Sequence, residues 1–193
     1  MVRQASGASR TFEAVLVRQC APTLAGMKPG SLFCVHPPVP EEIRRQVRMR
    51  NEQLAPLGLS IQILLERPGS MIVYVYRRDL LEKALSDDGC QQFLERAGYE
   101  KADLDGLLAQ LARRLRTQAE FPHEIGVFLG YPLQDVIGFI KNRGRNFTCC
   151  GFWKSYGDPA EMQACFDGYR QCIHTYVALF EQGVPLEKLA VPA

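Results

Sequence analysis

Apolar residues recur along most of this chain at helical spacing, interrupted by shorter β-rich runs. Phe12, Val15, Leu16 and Cys20 lie on one face of a helix that Thr11 can cap and that Pro22 should end. A turn over residues 26–30 then leads into a buried strand over 31–35, closed by His36-Pro37-Pro38. Pro40 with Glu41 and Glu42 opens a second helix, whose inner side is Ile43, Val47 and Leu54. Residues 59–66 and 71–77 are β-rich and flank Arg67-Pro68-Gly69-Ser70, so they predict a hairpin turning at Pro68-Gly69.

Helices follow at 79–85, 88–97 and 103–118; the last of these carries Leu104, Leu107, Leu108, Leu111 and Leu115 on one stripe. Residues 125–129 and 147–156 read as strands, with a helix starting at Tyr131-Pro132 between them and ending at Gly144. Asp158-Pro159-Ala160-Glu161 is a helix start with its cap, followed by a long apolar face from Met162 to Phe180 and a stop at Gly183. The pattern predicts an α+β fold. It has a mostly antiparallel or mixed sheet of about four or five strands covered by helices, and helix is the majority. Residues 1–10 are small and polar and read as a flexible N-terminus; 11–193 read as one domain.

Charge narrows the function classes. Lys and Arg number 23 and Asp and Glu 21, a net charge of +2 that lacks the basic footprint of a nucleic-acid-binding domain. The Arg groups at 44–50 and 113–116 read as solvated helix faces. No apolar run approaches the ~20 residues of a membrane helix, and the first residues lack a secretory h-region. The expectation is a cytoplasmic protein with no membrane association. Seven cysteines, an odd number with no C-x-x-C, suit free thiols, most of them small core residues. Cys165 and Cys172 are two helical turns apart, about 10 Å, which excludes a disulfide between them.

Candidate chemistry gathers around Cys20 and His123. A thiol needs a neighbouring base or cation to act as a nucleophile, and His123 is the best-placed histidine in the sequence. The order Cys, His, then Asn142 or Asn146 echoes papain-like enzymes in order alone. Glu124 beside His123 invites a metal reading, in which Cys20, His123, Glu124 and one of Cys149 or Cys150 would favour zinc or iron. Val127, however, stands where a zincin would carry its second histidine, and His123 and Glu124 point apart in an extended segment, so no metal ligand set is assigned. Lys28 and Ser31 in the Gly-rich turn suit an anion. Trp153, Phe152 and Tyr156 with Tyr131 and Phe128 can line an aromatic pocket, and alternation puts Lys154 and Tyr156 on one face with Trp153 and Ser155 on the other. Tyr131, Trp153, Lys154 and Tyr156 are therefore candidate ligand-binding residues alongside Lys28 and Ser31.

Longer strings carry a resemblance. Cys20-Ala21-Pro22-Thr23-Leu24 with Lys28, Pro122-His123-Glu124-Ile125-Gly126, Leu129-Gly130-Tyr131-Pro132 with Asp135-Val136, and Gly151-Phe152-Trp153-Lys154 with Tyr156 are similar to a bacterial family, domain of unknown function 3793. The resemblance runs from about Phe12 into the last long helix. It implies no activity or cofactor. Members of that family often sit beside iron-uptake and flavodoxin genes, so the resemblance implies a link to iron metabolism. They often carry a histidine directly before the Cys-Ala-Pro-Thr string, where this chain has Gln19. Two readings stand. One is a Cys20/His123-centred site for thiol chemistry or for metal or small-ligand binding, with Glu124 assisting. The other is a non-catalytic module that binds a protein partner. Contact between Cys20 and His123 in an open cleft favours the first.

Overall fold

The computed structural model describes residues 12–118 and 120–192. Thr11 and residues 1–10 lie outside them. The first helix, α1 (Phe12–Leu24), buries Phe12, Leu16, Val17, Cys20 and Leu24. Pro22 does not end it. The proline costs one hydrogen bond to the preceding turn, but the helix runs on to Leu24, and Gly26, at φ 72°, turns the chain. The exit is held by the buried Arg77 guanidinium, which donates to the carbonyls of Thr23 (2.7 Å) and Leu24 (2.5 Å) and to that of Val191 (2.6 Å).

The main sheet has three strands. β1 (Gly30–Val35) and β2 (Leu59–Arg67) flank β3 (Ser70–Arg77), both antiparallel to it. Gly69 takes φ 77° in the β2–β3 turn, as the Pro-Gly pair predicts. Period-2 alternation divides β3 between two cores. Val73 and Val75 join Leu16, Cys20, Leu54, Leu59 and Ile61 beneath α1 and α2 (Pro40–Leu54); Tyr74 and Tyr76 face the opposite side. A bulge between Ile63 and Leu65 lets the adjacent Leu64 and Leu65 both be buried. The second core is closed by α3 (Arg78–Leu85), α4 (Asp88–Arg96) and α5 (Leu104–Thr117), with Asp87 and Asp103 accepting cap bonds from Cys90 and Gly106.

Two predicted strands are corrected. Residues 125–129 form a short helix, α6 (Ile125–Phe128), all of it buried. A short, continuous apolar run fits a buried helix as well as a strand, and the backbone decides for the helix by bonding Gly126 N–H to His123 and Val127 N–H to Glu124. Gly126 lets α6 approach α7 (Leu133–Asn142), since a Cβ there would stand 2.6 Å from Val136. Residues 147–156 do not form one strand. They fold into a tiny hairpin of β4 (Cys149–Cys150) and β5 (Lys154–Ser155), with Gly151 N–H bonded to the Trp153 carbonyl across the turn. The sheet of four or five strands is thus a three-stranded sheet and a separate hairpin, within the expected α+β class.

The long helix α8 (Pro159–Glu181) is capped by Asp158, which accepts from Ala160 and Glu161. It packs on α1, with α9 (Leu186–Leu189) after it. Only Phe166 and Tyr169 of its apolar face are fully buried. Cys20 alone is fully buried, Cys90, Cys149, Cys165 and Cys172 are half-buried, and Cys34 and Cys150 are exposed, so the expectation that most cysteines are core is corrected; Cys165 and Cys172 stay at the edge because α8 lies at the outside of its layer. No helix among the described residues is long and apolar enough to cross a membrane.

Candidate functional site

The α7 helix and the β4–β5 hairpin meet through one buried carboxylate. Asp135 sits in the first turn of α7 and is 2 % exposed. Its oxygens accept from Trp153 Nε1 (2.8 Å), Ser155 Oγ (3.1 Å) and Tyr156 N–H (2.7 Å). A carboxylate in the first helical turn with three donors is well satisfied without a cationic partner. The predicted alternation explains the reach of the hairpin. Trp153 and Ser155 share the face that meets Asp135, and Tyr156 packs over Gly138, where a Cβ would stand 2.5 Å from its ring.

Fixing Trp153 fixes a group of rings. Its indole stacks on Tyr131 at 4.6 Å between centroids and 24° between planes, and meets the edge of Phe166 at 4.7 Å. Phe152 packs against Phe166 and Tyr169. Beside these rings opens a cavity of about 370 Å3 whose lining includes Phe121, His123, Tyr131, Phe139, Trp153 and Lys154. His123 is exposed and lies edge-on to Phe139, 4.9 Å between centroids. Lys154 donates to the Gly144 carbonyl (2.8 Å) and sits 5.0 Å from the Phe147 ring centre and 5.9 Å from that of Phe139. Among the described residues neither His123 nor Lys154 has a carboxylate within salt-bridge distance. Among the described residues, the only carboxylate on the wall is Asp135, already engaged by its three donors.

The residues expected to converge divide between two places. Cys20 is fully buried under the sheet, and burial pushes its thiol well above the ordinary range, with Lys28 and Ser31 pulling weakly the other way. Ser31 shares a 2.8 Å hydroxyl–hydroxyl bond with Thr23. No contact among the described residues joins Cys20 to His123. Glu124 is not directed at a ligand either. It takes a hydrogen bond from Tyr99 and an ion pair from Arg114 (3.3 Å), which itself stacks over Tyr99 and bonds the Ala97 carbonyl. Among the described residues, no three His, Cys, Asp or Glu side chains are grouped to hold a metal. Lys28 connects the two places, since its ammonium lies 5.3 Å from the centre of the Tyr131 ring. Asp135 and Phe139 were absent from the sequence-based site, and Cys150 entered it only as one alternative, with Cys149, beside Cys20. The acid in a first helical turn followed by an inward Val136 was the available signal for Asp135.

Lys28 yields a prediction. Burial draws its ammonium from the ordinary 10.5 down to about 8, against opposing pulls from Cys20 and Cys165. Below about pH 8 both folded and unfolded chains carry this proton, and holding the charge in the fold is a constant cost. Between about 8 and 10.5 the unfolded chain binds more of it, so this group makes stability rise with pH. Lys28→Met removes the group. The stability of that variant relative to the parent should therefore fall by about 1–3 kcal/mol between about pH 7 and pH 10. Urea unfolding of both chains across this range checks it, and the comparison cancels the opposing titration of Cys20. A pH-independent difference contradicts it.

The geometry defines an α+β protein with helices on both faces of a small antiparallel sheet and an aromatic, cation-edged cavity built by α6, α7 and a hairpin. The model of the family described as Protein of unknown function (DUF3793) matches residues 16–190, and the chain belongs to that family. No curated protein and no solved structure matches the chain.

Proposed function

We propose that this protein binds a small planar aromatic anion, such as a bicyclic aromatic carboxylate, in the cavity between α7 and the β4–β5 hairpin. The observation that carries the reading is the pairing of aromatic walls with two basic side chains, His123 and Lys154, that lack acidic partners among the described residues. A cavity of about 370 Å3 lies at the lower end of the range of about 300–1,000 Å3 usual for small-ligand sites. Tyr131, Phe139 and Trp153 supply flat apolar surface, Lys154 supplies charge, and the imidazole of His123 supplies a hydrogen-bonding edge on the same wall. Lys28 supports the site from behind, through the Tyr131 ring. Catalysis by Cys20 is not part of the proposal, because a fully buried thiol held in its neutral form does not meet a substrate.

Calorimetry with 2-naphthoate and with uncharged 2-naphthylmethanol tests this. The acid should bind roughly tenfold more tightly than the alcohol, and Lys154→Met should remove most of that preference. Equal, weak binding of both compounds would refute the anion reading. A second reading, a protein partner, is favoured by the exposure of Phe121, Ile137, Ile140, Phe147 and Phe152 on the elements that build the cavity. It predicts that neither compound binds and that Phe152→Ser weakens association with the partner.

A further inference from the structure

The cavity holds a thiol that its binding function does not require. Cys150 is exposed and lines the same wall as His123 and Lys154. In the hairpin register Cys150 stands directly opposite Lys154, and Cys149 opposite Ser155. Directly opposed residues point to the same face of an antiparallel pair, with their Cβ atoms about 4.5–5.5 Å apart. Cys149 therefore shares the face of Ser155, and its sulfur lies 4.0 Å from Gln163 on α8. Cys150 shares the face of Lys154. The other exposed thiol, Cys34, lies in a different cavity, 3.8 Å from His36 and among Pro37, Pro38 and Val39. Cys150 thus combines solvent access, a lysine directly opposite in the register, an imidazole in the same cavity and an aromatic wall.

We infer that Cys150 is a covalent capture site that exchanges with small anionic aromatic disulfides held in this cavity. The inference rests on the ligand class proposed above and adds a bond to it. Cys150 gives its thiol proton to His123, and the sulfur attacks one sulfur of the bound disulfide. A protein–ligand S–S bond forms as the ligand's own S–S bond breaks. The departing aromatic thiolate leaves as the anion, and His123 releases the proton to water. One thiol and one disulfide enter, one disulfide, one thiolate and one proton leave, and no further oxidant is needed. Lys154 holds the carboxylate of the ligand and so brings its disulfide to Cys150.

The probe is 5,5′-dithiobis(2-nitrobenzoate), an aromatic disulfide with a carboxylate on each ring; cystamine, a cationic aliphatic disulfide, is the control. Short pulses on the whole protein, quenched and read by peptide mass spectrometry, give the rate at Cys150 relative to Cys34 as an internal reference. With the aromatic probe Cys150 should react roughly tenfold faster than Cys34, and the ratio should fall toward one with cystamine or in Lys154→Met. His123→Gln should move the pH profile of the Cys150 rate and leave that of Cys34 in place. A Cys150 rate no higher than that of Cys34 overturns the inference. Excess 2-naphthoate should protect Cys150 alone. Rapid, Lys154-dependent labelling without protection would sustain the capture site and count against the proposed ligand.

Discussion

Asp135→Ala should cost about 3–4 kcal/mol of stability and abolish binding of 2-naphthoate. Three donors lose their acceptor at once: Trp153 Nε1, Ser155 Oγ and Tyr156 N–H. Ser155 is fully buried and the other two are partly so. Leaving a buried donor unpaired costs about 1–3 kcal/mol, and partial hydration of the Trp153 edge brings the sum below the simple total. The loss of binding follows from position. The hairpin carries Trp153 and Lys154, and no other side chain hydrogen-bonded to Trp153 is seen among the described residues. Asp135→Asn separates charge from acceptor. It keeps one carbonyl oxygen but turns an amide toward a donor, so about half of the cost should remain. Chemical unfolding followed by the fluorescence of Trp153, the one tryptophan of the chain, measures both variants. Wild-type stability in Asp135→Ala would show that the hairpin is held by ring packing alone.

Arg77→Met should be at least as damaging to the fold, at about 3–5 kcal/mol, yet without specific effect on the cavity. The side chain is 2 % exposed and its three hydrogen bonds tie the end of α1 to the C-terminal segment. Val191 N–H returns to the Leu24 carbonyl at 3.0 Å, so helix end, strand end and tail form one knot. Methionine fills the space of the stem but removes all three charged hydrogen bonds, so the Thr23 and Leu24 carbonyls keep only their bonds from Gly26 and Val191 N–H and the Val191 carbonyl loses its bond to Arg77. Arg77→Lys should recover less than half of the loss, because a single ammonium cannot span acceptors that the planar guanidinium reaches together. Thermal unfolding of the three chains gives the order, and a lysine variant equal to wild type would contradict the account.

Much of the fold was legible because its signals were local. Pro68-Gly69 fixed the hairpin, Asp103 and Asp158 fixed helix starts, and the leucine stripe over 104–115 fixed α5. The errors fall where local signals are degenerate. Residues 125–128 are apolar throughout, so no period separates helix from strand, and tertiary contact with α7 decides. At 147–156 the pattern favoured a strand, but Gly151 and the rings of Phe152 and Trp153 turn the chain instead, with Gly151 close against Phe166. Pro22 looked like a stop, yet the helix runs on to Leu24, where Arg77, far along the chain, bonds the exit carbonyls.

The site was half legible for the same reason. Tyr131, Trp153 and Lys154 were picked out by residue type and alternation, and they do share a wall with His123. Cys20 was chosen because it stands in a distinctive string and precedes a histidine in order. Sequence order carries no information on depth, and α1 turns that cysteine into the core. The cysteine that does share a cavity with His123 is Cys150, whose neighbour Cys149 faces the other way.

The most direct test of the account is the indole N–H resonance of Trp153 in 15N-labelled protein titrated with 2-naphthoate. Trp153 is the only tryptophan, it lines the cavity, and its N–H is held by Asp135. The account predicts a saturable shift of that resonance, reduced roughly tenfold in apparent affinity by Lys154→Met and absent with 2-naphthylmethanol at the same concentration. An indole resonance that stays in place while 2-naphthoate is taken to millimolar excess, in a protein that remains folded, would contradict it.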